Sequence, residues 1–96
     1  MNLTQRYRLA DRVAIRPERF GGLVYNYGNR RLFFLHSHDL TEFVSGMTGT
    51  EPLADAIARF RARRGLPPSD EVFLEPLAAL ERIGLIVATD NEKTDP

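Results

Sequence analysis

The chain has no cysteine, and its 13 basic and 13 acidic residues cancel. Without cysteine there can be no disulfide framework, no thiolate nucleophile, no cysteine-ligated zinc and no iron–sulfur cluster held by the chain's own thiolates. Redox chemistry, if the protein takes part in any, therefore belongs to a partner. Charge balance removes the global field that gathers nucleic acid or an anionic membrane, so either ligand would need a local patch. No segment approaches the roughly 20 consecutive apolar residues of a spanning helix, and the opening MNLTQRYRLADR lacks the apolar core of a secretory signal. The expected location is the cytoplasm.

What is present fits one small folded domain. Of the 96 residues, 43% are apolar and 27% charged, near the averages for soluble globular chains. Residues 1–11 show no clear period and read as a flexible N-terminal lead, residues 12–88 as the domain, and the polar stretch 89–96 as a flexible tail. Arg12 to Arg16 alternates charged and apolar residues, which predicts a half-buried strand with Val13 and Ile15 inward and Pro17 as its end. Pro17 to Gly22 reads as an irregular connection anchored by Phe20.

A β-hairpin is expected next. Leu23 to Tyr27 forms one strand, Gly28-Asn29 a two-residue turn of type I′ or II′, and Arg31 to Leu35 the other strand. RLFFL is apolar on both faces, Leu32 and Phe34 on one and Phe33 and Leu35 on the other. An edge strand of a three-stranded meander needs only one apolar face, so the second wants a cover. With no obvious later strand to pair with it, this strand is either a guarded edge or a rail on which another chain docks.

Three helices and a short apolar run follow. Ser37 is placed to cap a first helix carrying Leu40, Phe43, Val44 and Met47. Thr50 and Pro52 mark the start of a second, with Leu53, Ile57 and Phe60 on its apolar face and Arg59, Arg61, Arg63 and Arg64 near its end, stopped by Gly65. Ser69 caps a third, with Val72, Phe73, Leu77, Leu80 and Ile83 apolar, and Pro76 predicts a kink or a break near Glu75. Leu85 to Val87 can pack back as a wing or terminal strand. The class is α+β, a winged helix-turn-helix-like fold with a three-stranded antiparallel sheet followed by three helices.

Chemistry-bearing clusters are sparse. His36-Ser37-His38-Asp39 holds metal-ligand residue types, but two histidines one residue apart at a strand-to-helix junction seldom converge, and no other histidine exists to complete a site. Capping and surface roles suit them. No serine sits in a nucleophilic arrangement and no glycine-rich phosphate loop is present, so neither catalysis nor a cofactor is expected. The four arginines at 59, 61, 63 and 64 fit a solvated helix end that complements the dipole; the alternative they leave is a winged-helix DNA-binding protein using this helix.

Arg16-Pro17-Glu18, Phe20-Gly21, Leu23-Val24-Tyr25, Arg31-Leu32, Phe34-Leu35 and Ser37 together resemble the signature of the mycofactocin biosynthesis chaperones, the MftB family. That family is a class of RiPP precursor-peptide recognition element similar to the PqqD peptide chaperone. The resemblance covers about Arg12 to Val87 and is most specific in the hairpin. It implies a protein without chemistry of its own, which binds the leader of a ribosomally made precursor peptide and presents it to a radical S-adenosylmethionine (radical SAM) maturase. It also implies that the leader adds as a strand beside the third strand, in a groove closed by the third helix. Carried onto this chain, the peptide-binding residues are Arg31, Leu32, Phe33, Phe34 and Leu35 on the strand and Leu77, Ala78 and Glu81 on the helix. Which face of the strand lines the groove stays open, and neither nucleic acid nor membrane is among the implied partners.

Overall fold

The computed structural model describes residues 1–65 and 71–89. Two sheets and three helices share one core. Strands β2 (Val13–Glu18), β3 (Gly21–Asn26) and β4 (Leu32–Leu35) form an antiparallel meander in the order β2-β3-β4. Helices α1 (His38–Ser45), α2 (Leu53–Arg64) and α3 (Glu71–Arg82) follow, and β5 (Ile86–Ala88) pairs antiparallel with an N-terminal strand, β1 (Tyr7–Leu9). The expected α+β class, with three antiparallel strands and then three helices, is what is found.

Alternation along the strands decides which face is inside. Val24 on β3 stands opposite Ile15 and Phe33, and Gly22 stands opposite Leu35. This face packs on α1, and Val24 and Leu35 join Leu40, Phe43 and Val44 in the core, with Val13, Ile15 and Phe33 packed against it. A Cβ on Gly22 would collide with the Thr41 side chain, so this glycine lets α1 sit directly on the sheet. Val13 and Ile15 thus point inward as expected.

The N-terminal segment departs from its reading as a flexible lead. Tyr7 is buried in the core, and Tyr7 to Leu9 pairs with Ala88 to Ile86. The preceding residues reach α2, whose first N–H groups donate to backbone carbonyls: Leu53 to Gln5 at 2.8 Å and Ala54 to Leu3 at 3.0 Å. Pro52, at the cap position, offers no side-chain acceptor, and Thr50 does not cap the helix. The helix is capped from the chain's own start instead.

Three other expectations change. Pro17 does not end its strand: β2 continues to Glu18, opposite Gly21, leaving Arg19-Phe20 as a two-residue turn. The Tyr27 N–H donates to the Arg12 carbonyl, so hydrogen-bonded pairs alternate from that point and Pro17 falls at a pair whose amides face away from β3. Its missing N–H therefore costs no ladder bond. The next turn is not the two-residue Gly28-Asn29 type. Asn26 still pairs with Arg31, the loop spans residues 27–30, and the left-handed residue is Arg30, at φ 69°. Finally, α3 runs unbroken through Pro76. The expected Ser69 cap and Leu66-Pro67-Pro68 link lie outside the described residues, as does most of the C-terminal tail.

Candidate functional site

The two edges of the meander are built differently. On β2 the outer edge carries Pro17, flanked by Arg16 and Glu18, which pair at 2.5 Å. Proline and charge are the usual guards against pairing with another chain. On β4 the residues are Leu32, Phe33, Phe34 and Leu35, with neither guard. Among the described residues no strand pairs with this edge.

Which amides β4 offers follows from the turn. The Asn26 N–H donates to the Arg31 carbonyl at 2.8 Å, which makes 26 and 31 a hydrogen-bonded pair. Phe33 and Leu35 then point their backbone groups at β3, and Leu32 and Phe34 point theirs outward. The turn is fixed by Asn26 itself, whose Oδ1 accepts from the amides of Gly28 at 2.7 Å and Asn29 at 3.0 Å. At the other end a Cβ on Gly21 would strike the Leu35 carbonyl, and this residue has φ 146°, so only glycine lets β3 lie this close to the end of β4.

Side chains on β4 divide by the same alternation. Leu32 and Phe34 are each 50% exposed, Phe33 is half-buried, and Leu35 is 1% exposed. Phe34 meets the Phe20 ring edge-on at 5.7 Å, and Phe20 also lies 5.6 Å from the His36 ring. Arg31 crosses to the third helix, its guanidinium donating to the Ile83 carbonyl at 3.0 Å. This bond ties the start of β4 to the residue just past α3.

The helix residues separate too. Leu77 is fully buried, in the same core as Leu35, while Ala78 and Glu81 are half-buried. The chain's N-terminal ammonium comes within 3.8 Å of Glu81. Arg31 and the end of α3 are therefore brought together. Leu35 and Leu77 sit beneath the surface in the common core, without offering a side chain to solvent. Sequence reasoning missed the N-terminal segment beside Glu81. It has no period or motif, and the bonds it makes to α2 come from the backbone carbonyls of Leu3 and Gln5, which leave no mark on side-chain identity.

Other candidate clusters resolve into local structure. Ser37 accepts from the Leu40 amide at 3.1 Å as the α1 cap, His38 meets the Arg19 carbonyl at 2.8 Å, and Asp39 pairs with Arg64 at 3.2 Å. Among the described residues no group of three or more His, Asp or Glu could hold a metal ion, and no helix is long and apolar enough to cross a membrane. In the arginine cluster, Arg59 pairs with Glu51 at 2.6 Å, Arg64 also pairs with Glu42, and Arg61 is buried with its guanidinium over Phe73. Arg63 lies over Phe60.

Of the two outer edges of the meander, β4 is therefore the unguarded one. The profile of the Peptide chaperone MftB family matches residues 6–87. The chain belongs to this family. It is 33% identical over 84 residues to the Mycobacterium tuberculosis protein named Peptide chaperone MftB, covering 84% of this chain and 72% of that one. A protein of the same name from Mycolicibacterium smegmatis is 44% identical over 41 residues, 43% of this chain and 40% of that one. The one from Mycobacterium ulcerans is 42% identical over 41 residues, 43% of this chain and 38% of its own length. Those two alignments thus span well under half of the relatives they match. These relatives are named for chaperoning, a role without catalysis. No solved structure matches the chain.

Proposed function

We propose that this protein is a peptide chaperone of mycofactocin biosynthesis that binds the leader of a ribosomally made precursor peptide by strand addition to β4 and presents it to a radical SAM maturase. The observation that carries the reading is the open β4 edge, where Leu32 and Phe34 turn their backbone groups outward, in a chain of a peptide chaperone family. Main-chain hydrogen bonds along such an edge supply affinity that tolerates sequence, and side-chain contacts at alternate positions choose the peptide and fix its register. Leu32 and Phe34 offer outward contacts, and Arg31, Ala78 and Glu81 stand at the helix side. A leader that is disordered when free must be ordered on binding, which keeps the complex exchangeable. Exchange is what a protein that hands on its cargo needs.

The test is a titration of the precursor leader into the wild-type chain and into Leu32→Pro, with circular dichroism to confirm that both are folded. Proline at position 32 removes an outward N–H and leaves the β3 ladder intact. Loss of peptide binding in this variant is the expected result, and retention of wild-type affinity would overturn the reading. Duplex DNA, titrated at two salt concentrations, checks the alternative use of α2. A DNA-binding protein would bind it with an affinity falling steeply as salt rises.

A further inference from the structure

The sheet face that carries Leu32 and Phe34 extends well beyond the β4 edge, to residues that strand addition does not need. The face of the meander turned away from α1 carries Arg16, Leu23, Tyr25, Leu32 and Phe34, because these residues alternate with the inward set. Leu23 and Tyr25 are half-buried, while Leu32, Phe34, Phe20 and Tyr27 are exposed, Tyr27 to 66%. Leu23, Tyr25, Tyr27 and Leu32, with Arg16 and Arg30, line a shallow depression of about 470 Å³. Contiguous exposed apolar surface of this kind on a small protein marks an interaction site more often than chance.

Charge around the depression has one prevailing sign. Arg30 belongs to the loop, the Arg12 side chain lies over Gly28 in the same loop, and Arg16 stands on the neighbouring strand. Glu18 pairs with Arg16, and Asp11 is drawn to Arg8 at 3.4 Å. Neither Arg12 nor Arg30 forms an ion pair among the described residues. A second copy of this chain is a poor occupant, since an isologous interface would set this cationic rim against itself. An apolar surface that carries carboxylates complements it.

We infer that this outward sheet face is a second docking surface, occupied by an apolar, carboxylate-bearing surface of the enzyme that receives the peptide. The inference rests on the function proposed above. A chaperone that presents a bound peptide must hold cargo and enzyme together, so the enzyme needs contacts that the β4 edge does not supply. The outward face is contiguous with that edge through Leu32 and Phe34. An added leader strand would extend the same face by every second side chain, so that the enzyme meets chaperone and cargo as one surface.

The experiment measures binding of the maturase and, separately, of the leader peptide to the wild-type chain and to the double variant Tyr27→Asp, Arg30→Asp. Both residues are exposed in the loop, away from the outward amides of β4, and thermal melting confirms the fold. Maturase affinity is expected to fall by about tenfold or more and peptide affinity to change by less than about twofold, because the substitutions remove an apolar ring, add a carboxylate and reverse one cationic charge at one interface only. Unchanged maturase affinity in the folded variant, or no maturase binding to the wild type, overturns the inference. Failure of the peptide to bind the wild type overturns the underlying reading instead. Two further results would assign the face to another occupant and sink the proposal: self-association of the wild type that the substitutions abolish, or single-stranded RNA binding lost in the same variant.

Discussion

Asn26 shows how one polar side chain sets the geometry of the open edge. It faces the core side of β3, between the apolar Val24 and the turn, and is nearly buried. Its Oδ1 holds the amides of Gly28 and Asn29, and its backbone pairs with Arg31. Asn26→Ala leaves those amides without their acceptor and should cost about 1–3 kcal/mol in urea unfolding, by the desolvation penalty of partly buried donors. Leu35 and Phe34, adjacent in sequence, should behave oppositely. Leu35→Ala opens a cavity and is expected to cost about 2–5 kcal/mol. Phe34→Ala, on the exposed face, should cost much less stability and weaken leader binding instead. Alternation in RLFFL was legible from the sequence, but not which face was inner. That depended on Asn26 pointing inward, which hydrophobic pattern alone argues against and turn hydrogen bonding requires.

At the scale of elements, the meander and three helices were readable because each carries a period of two or of three to four residues. Two features carried no such mark. Tyr7 to Leu9 is too short for a period to emerge, and it is a strand because Ile86 to Ala88 offers it an edge. The α2 cap is made by the carbonyls of Leu3 and Gln5, for which any residues would serve. Deleting residues 1–5 should therefore destabilise the protein by about 1–3 kcal/mol through unmet helix N–H groups, although no recognisable motif is removed. A thermal melt of the truncated chain checks this: a melting temperature equal to the full chain's would mean that water caps α2 equally well. Pro17 carries the converse lesson. Proline reads as a strand end, yet at an outward-facing edge position it costs no ladder bond, and it closes β2 to pairing while β4 remains open.

For the molecule as a whole, the candidate site was legible as a strand and only partly as a groove. Arg31 to Leu35 could be singled out from its two apolar faces, whereas the helix side required the fold: Leu77 proved to be core and Ala78 and Glu81 half-buried. The arginines of α2 could not be told from a basic patch by sequence, because their partners Glu51, Asp39 and Glu42 come from other segments. One guarded edge and one open edge set β2 and β4 apart, and the proposed function takes β4 as the place where an extended peptide adds. Amide hydrogen exchange with and without the precursor leader tests this most directly. The account predicts that the Leu32 and Phe34 amides, exchanging freely in the unbound chain, become protected when the leader binds, while those of Phe33 and Leu35 change little. Saturating leader that leaves Leu32 and Phe34 unprotected, or that protects α2 instead, would contradict it.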